Sequence, residues 1–200
     1  VRSALRGVAA QQARAEILIE DEATSDDPMR LVVNVTVDAQ GLAIDFTGSS
    51  AQRPNGLNNP FASTISMTHY AVKVVFTPDL PQNEGCNRPV RIIIPEGTIL
   101  NPKEAAAVSV RHLTQQAVAD VVLKALSQIA PQASTAGCQI SFPTFVIGGF
   151  DRREKMLAQN GGDAPYFVVT DIIGGGMGAS PTQDGISAVD THGGNCAILS

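Results

Sequence analysis

Residues 31–46 read LVVNVTVDAQGLAIDF. Leu31, Val33, Val35 and Val37 alternate with Val32, Asn34, Thr36 and Asp38, which is the period of a half-buried strand, and the β-branched content agrees. Ala39, Gln40 and Gly41 make a short connection with glycine at its end. Leu42, Ile44 and Phe46 then return the apolar face, while Ala43, Asp45 and Thr47 point the other way. An antiparallel hairpin near residues 31–46 is the anchor from which the rest of the chain is read.

Outward from it, one long amphipathic helix is expected near residues 114–130. Val118, Val121, Val122, Ala125, Leu126 and Ile129 share a face, with Gln116, Asp120, Lys124 and Gln128 opposite and Asp120 and Lys124 spaced as an i, i+4 pair. Pro131 stops it. Phe61 to Phe76 reads as a helix. Leu5, Val8, Ala9 and Ala13 are near helical spacing, so residues 1–15 read as a short helix, followed by an extended piece at Ile17 to Ile19. Val90 to Ile94 reads as a short buried strand, and Thr144 to Ile147 and Tyr166 to Val169 as extended segments. The acidic run from Glu20 to Asp27 reads as a solvated linker. Strands and helices do not alternate regularly, so the expected class is α+β, with mixed strands and long loops at 47–60 and 78–89.

Composition narrows the function. The 200 residues suit a single domain spanning 1–200 or a segment of a longer polypeptide. The absence of an initiator Met and the stop at Ser200 favour a segment. Hydrophobic residues make up 44%, enough for a sizeable core without disulfide staples. Charged residues are only 16%, below the usual ~25%, as expected if part of the surface is covered. A net charge of −5 with no Trp argues against nucleic acid and against an anionic membrane surface. No apolar run approaches a membrane span of ~20 residues. Cys86, Cys138 and Cys196 are odd in number and far apart, so a buried structural role in a reducing cytoplasm is expected.

The residues alone give no decisive catalytic set. His69, His112 and His192 have no ligand partner at i+2 to i+4, so no metal ligand is assigned. Arg111 and His112 precede the long helix, where they could jointly hold an anion; a surface Arg beside a capping His is the plainer alternative. The cluster Gly174, Gly175, Gly176 and Gly178 is either a flexible hinge or a cradle of N–H groups for an oxyanion. It lacks the Gly-Lys-Ser/Thr ending of a phosphate loop. Asp45 either contacts a ligand amide or caps the turn at Thr47, Gly48 and Ser49.

Several strings occur in an order that carries more information. Residues 42–52 read LAIDFTGSSAQ, 55–60 NGLNNP, 79–89 DLPQNEGCNRP and 95–102 PEGTILNP. Gly174-Gly175-Gly176-Met177-Gly178, Asp184-Gly185 and His192 with Asn195 follow. This collinear set, covering about Leu31 to Asn195, resembles the hydantoinase B/oxoprolinase family. The resemblance implies a B-type subunit of an ATP-dependent hydrolase of cyclic amides such as hydantoins, 5-oxoproline or other lactams. ATP and Mg would be bound by a hydantoinase A-type partner in a hetero-oligomer. The family also contains ketone carboxylases of the acetone and acetophenone type, and a non-catalytic scaffold for the ATP-binding partner is a third possibility. The implied site residues are Asp45, Arg111 and His112 for catalysis, and Asn58, Asn83, Arg88, Gly174, Gly175 and Gly176 for substrate. The family's metal motif, an Asn-Asp-Pro and a Gly-x-x-His-x-x-Asp string upstream of the hairpin, does not occur in these residues, so any divalent metal of that motif belongs to a missing upstream region. Val110 to Thr114 stand where the family often has Asn-x-Glu-Thr.

Overall fold

A computed structural model describes residues 2–21, 27–140, 144–189 and 192. A short helix α1 (Arg2–Leu5) leads into strand β1 (Gln11–Ile19). Strands β2 (Met29–Asp38) and β3 (Gly41–Asp45) form the hairpin read from the sequence, with Val35 opposite Ile44 and Asp38 opposite Gly41. Leu31, Val33, Val35, Val37, Leu42, Ile44 and Phe46 are all buried on one face. Val32 faces the other way yet is also buried, because the loop after β3 folds back over it: Ser49 Oγ accepts from Val32 N–H and donates to its carbonyl.

One helix covers the sheet and a second packs on that helix. Helix α2 (Phe61–Phe76) is followed by the one-turn helix α3 (Glu84–Asn87) and by strand β4 (Val90–Ile93), which adds to β3 in parallel. The sheet order is β1-β2-β3-β4. Helix α4 (Arg111–Leu126) packs against β1, β2 and α2. The α+β class is therefore observed.

Three local readings shift. β1 begins at Gln11, not near Ile17, and residues 11–15 are strand and not helix. The full-length antiparallel ladder with β2, from Gln11↔Val37 to Ile19↔Met29, outweighs weak local propensity, and buried Ala13 and Ala15 supply the period of two. α4 starts at Arg111, three residues before the expected position, and ends at Leu126, four before it, where Gln128 and Ile129 N–H turn to carbonyls three residues back; its polar face is narrower than the pattern implies. Gln116 is buried because α4 lies between the sheet and α2. Lys124 and Gln128, on the polar side, donate to the Glu16 and Arg14 carbonyls of β1. β4 is an edge strand with Arg91 and Ile93 exposed, and the buried apolar residue of that segment is Ile94. The acidic run falls mostly on residues outside those described; of it, Asp21 is buried and accepts from Asn55 Nδ2.

Beyond a 3-10 turn at Pro131–Ala133, the hairpin of β5 (Thr144–Phe150) and β6 (Tyr166–Ile172) encloses helix α5 (Glu154–Gln159). The small pair β7 (Gly176–Met177) and β8 (Ile186–Ser187) follows. Nearly every β5 and β6 side chain is exposed, including Phe145, Val146, Val168 and Val169.

Candidate functional site

Helix α2 brings Tyr70, helix α4 brings Asp120, the extended segment after Pro131 brings Cys138, and the C-terminal region brings His192 to one place. His192 Nε2 lies 2.7 Å from Asp120 Oδ1, and its Nδ1 lies 3.2 Å from the Tyr70 hydroxyl. The imidazole is 1% exposed and the Asp120 side chain 13%, so solvent reaches the group from the carboxylate side. Tyr70 and His192 also touch as rings, 5.4 Å between centroids. The other Asp120 oxygen, Oδ2, accepts from Cys138 N–H at 3.4 Å and Sγ at 3.5 Å. A carboxylate only accepts, so the self-consistent proton placement puts N–H on Nε2 and leaves Nδ1 to accept from the phenol. Burial first, then electrostatic repulsion from the Cys138 and Asp120 side, raises the Tyr70 phenol above its ordinary value. Tyr70 stays protonated and serves as the donor this chain needs.

Tyr70 also lines a pocket of about 310 Å³ with Ser66, His69, Lys73, Gln82 and Asn87. Burial lowers the His69 pKa, partly offset by Glu84, which favours a neutral imidazole there. The Lys73 ammonium is committed to the carbonyls of Thr77, Pro78 and Leu80. The pocket therefore offers a neutral imidazole beside a lysine held by backbone carbonyls, with Tyr70 linking it to the His192–Asp120 pair.

The residues singled out from sequence fall in several places. Asp45 Oδ1 accepts from the Thr47 amide at 2.8 Å and its hydroxyl at 2.6 Å, so it caps the turn. Asn58 is fully buried; its Nδ2 donates to the carbonyls of Arg53, Asn55 and Ala107, and its Oδ1 accepts from Arg53 N–H. Asn58 thus ties the 53–58 loop to the segment leading into α4, and Val110 N–H donates to the Gly56 carbonyl beside it. That fastens the loop of Asn58 to the entry of the helix whose first residues are Arg111 and His112. Arg111 is exposed, with Nη1 donating to the Val108 carbonyl, and His112 is half-buried in the first turn of α4. Asn83 caps α3, accepting from Cys86 N–H, near the Gln82 and Asn87 wall of the pocket. Arg88 is exposed beside Pro89 and Gly41, whereas Asp45 pairs with Ile93 at the other end of the β3–β4 ladder, ~10 Å away at the strand rise.

Two carbonyls of the glycine run are paired. Gln139 N–H donates to the Gly176 carbonyl and Ala188 N–H to the Gly175 carbonyl, and Cys138 bridges Met177. A Cβ at Gly178 would meet Ala136 backbone and side-chain atoms at 2.5–2.7 Å. The glycines let two backbone segments press together, and the segment they press is the one carrying Cys138.

Local spacing alone did not find Asp120, Cys138 and Tyr70. Asp120 reads as a surface partner of Lys124, and only the fold turns it toward His192. The signals available were the glycine cluster and the His192 motif, both of which border the group.

The family model for hydantoinase B/oxoprolinase matches residues 1–200. The chain is 32% identical over 203 residues to the putative B-type component of a D-/L-hydantoinase from Pseudomonas sp. (strain NS671), covering 96% of this chain and 32% of that one. It spans 14–15% of the length of the first curated relatives it matches. Its fold is similar to the crystal structure of an ATP-dependent caprolactamase from Pseudomonas jessenii, with a TM-score of 0.77 at 24% identity over 94% of this chain and 32% of that one. It is also similar to a nucleotide-free acetone carboxylase, with a TM-score of 0.71 at 18% identity over 94% of this chain and 26% of that one. With its whole length matched by the family model, the chain belongs to the hydantoinase B/oxoprolinase family.

Proposed function

We propose that this chain is a segment of the B-type subunit of a cytoplasmic, ATP-dependent hydrolase that opens cyclic amides of the hydantoin, 5-oxoproline or lactam class. The observation that carries the reading is the family match over the full 200 residues, together with 32% identity to a hydantoinase B-type component over nearly all of the chain. ATP and Mg are assigned to a hydantoinase A-type partner, since the glycine run here lacks the Gly-Lys-Ser/Thr ending of a phosphate loop. The exposed apolar hairpin β5–β6 supports a covered face in a larger assembly.

The partner's phosphoryl chemistry would activate the ring carbonyl. This chain's own contribution is to hold the ring and to stabilise the negative phosphoryl oxygens of the tetrahedral species formed when water adds to the activated ring carbon, which collapses with release of phosphate and cleavage of the ring C–N bond. Arg111 and His112, at the positive end of the 16-residue α4, are the proposed donors. Asn58 supports them by fixing the loop beneath, and Asp45 does so by fixing the turn after β3. Asn83, Arg88 and the Gly174 to Gly176 backbone shape the surrounding loops. The fold likeness to acetone carboxylase favours a second reading, a ketone carboxylase subunit, in which the same donors would face an enolate.

Arg111→Ala tests the assignment in the full-length polypeptide with its partner. The side chain is exposed and, among the described residues, holds only the Val108 carbonyl, so the fold should stand. Turnover should fall roughly 10²-fold, the usual loss for one oxyanion donor. Normal kinetics would remove Arg111 from the site.

A further inference from the structure

We propose that Asp120, Cys138 and His192 are the protein ligands of a divalent transition-metal site of the zinc class, with Tyr70 orienting the histidine. The site is separate from the upstream motif of the family, and its existence does not depend on which reaction the subunit serves.

The donor set is the first argument. One ligand atom from each residue, an imidazole nitrogen, a carboxylate oxygen and a thiol sulfur, lies within 4.8 Å of the others. Zinc bond lengths of ~2.0–2.3 Å in a tetrahedron require ligand–ligand edges of about 3.3–3.6 Å. Sγ lies 3.5 Å from Asp120 Oδ2 and Nε2 2.7 Å from Oδ1, so the two oxygens of one carboxylate face the sulfur and the nitrogen, and a small turn of that carboxylate with a short separation of the ring presents one oxygen to a shared cation. Sulfur with nitrogen and oxygen selects zinc or a neighbouring borderline cation over magnesium or calcium, which take oxygen ligands.

The second argument is the surroundings. A metal-bound histidine has its other ring nitrogen fixed by a hydrogen bond, and here that partner is the Tyr70 hydroxyl at 3.2 Å. On metal binding at Nε2, the ring proton moves to Nδ1 and donates to the phenol oxygen. The thiol proton leaves to solvent, since the thiolate is the ligand. The third argument is how Cys138 is held. Ala136 N–H donates to the Ala179 carbonyl and Gln139 N–H to the Gly176 carbonyl, so the segment is fastened on both sides of Cys138 against the glycine run. Three protein ligands leave the fourth tetrahedral position open, and the partly exposed Asp120 side chain marks the direction from which water would fill it.

The experiment uses the full-length polypeptide with its partner, stripped of metal by a chelator. Cobalt(II) added back should produce a near-ultraviolet thiolate-to-metal charge-transfer band. The band should vanish in Cys138→Ser and weaken in His192→Gln, and Tyr70→Phe should lower cobalt affinity by about 10–100-fold, the usual cost of losing an outer partner of a metal ligand. A second readout needs no variant: zinc, but not magnesium, should slow alkylation of Cys138 followed by peptide mass spectrometry. Both readouts are local to Cys138, so a metal held elsewhere in the polypeptide does not imitate them. No Cys138-dependent cobalt band, or a Cys138 alkylation rate that zinc leaves unchanged, would overturn the proposal.

Discussion

Asn58→Ala should loosen the loop that carries the candidate site, and the size of the effect follows from its contacts. The wild-type amide satisfies four backbone groups: the Arg53 N–H and the carbonyls of Arg53, Asn55 and Ala107. Ala107 is exposed and its carbonyl can rehydrate, whereas Arg53 and Asn55 are less open to solvent. Two to three groups are then left poorly paired, at ~1–3 kcal/mol each, with the lower end apt for half-buried positions. The expected local cost is about 3 kcal/mol, which is about a hundredfold in the opening equilibrium. Hydrogen exchange by mass spectrometry on the full-length polypeptide reads this as about hundredfold faster exchange of the 53–58 segment, with β2 and α4 unchanged. Asn58→Asp should be no better, because a carboxylate would face three carbonyls. Unchanged exchange in Asn58→Ala together with lost turnover would refute the reasoning and place the amide on substrate.

Gly178→Ala should destabilise the contact between 136–139 and the glycine run by roughly 1–3 kcal/mol, as overpacking does, because the new methyl meets Ala136 backbone at 2.7 Å; faster exchange at Gln139 checks it. The lowered His69 pKa makes stability pH-dependent with a fixed sign. Between the folded value and 6.5 the unfolded chain binds the extra proton, so this contribution is complete above pH 6.5 and is lost as pH falls through the window. His69→Gln should flatten the acid limb of a melting-temperature profile, and Glu84→Gln, which removes the opposing charge, should steepen it.

Most of the fold is legible in the sequence because its strongest signals are local. Strict alternation in Leu31 to Val37 and the return through Leu42, Ile44 and Phe46 specify the hairpin, and the apolar face from Val118 to Leu126 specifies the long helix, which ends at Leu126 ahead of Pro131. What escapes is set by partners distant in sequence. Gln11 to Ala15 carry weak preferences and become a strand only because β2 pairs with them throughout. Asp120 reads as half of a surface pair with Lys124, yet Lys124 turns to the Glu16 carbonyl and Asp120 to His192, 72 residues away. Asn58 and Asp45 stand out in the sequence as special loop residues. Their saturated hydrogen bonds make them supports, which a motif cannot distinguish from ligands to substrate. Cys196, read as structural, and Asn195 of the His192 motif lie outside the described residues.

The central claim is ATP-dependent opening of a cyclic amide. The direct measurement is ADP release by the full-length polypeptide co-expressed with the proposed ATP-binding partner, across lactams, hydantoins and ketones, with and without bicarbonate. The account predicts turnover stimulated by a lactam or hydantoin, indifferent to bicarbonate and matched by ring-opened product. Turnover seen only with a ketone and bicarbonate would contradict it and make the protein part of a carboxylase.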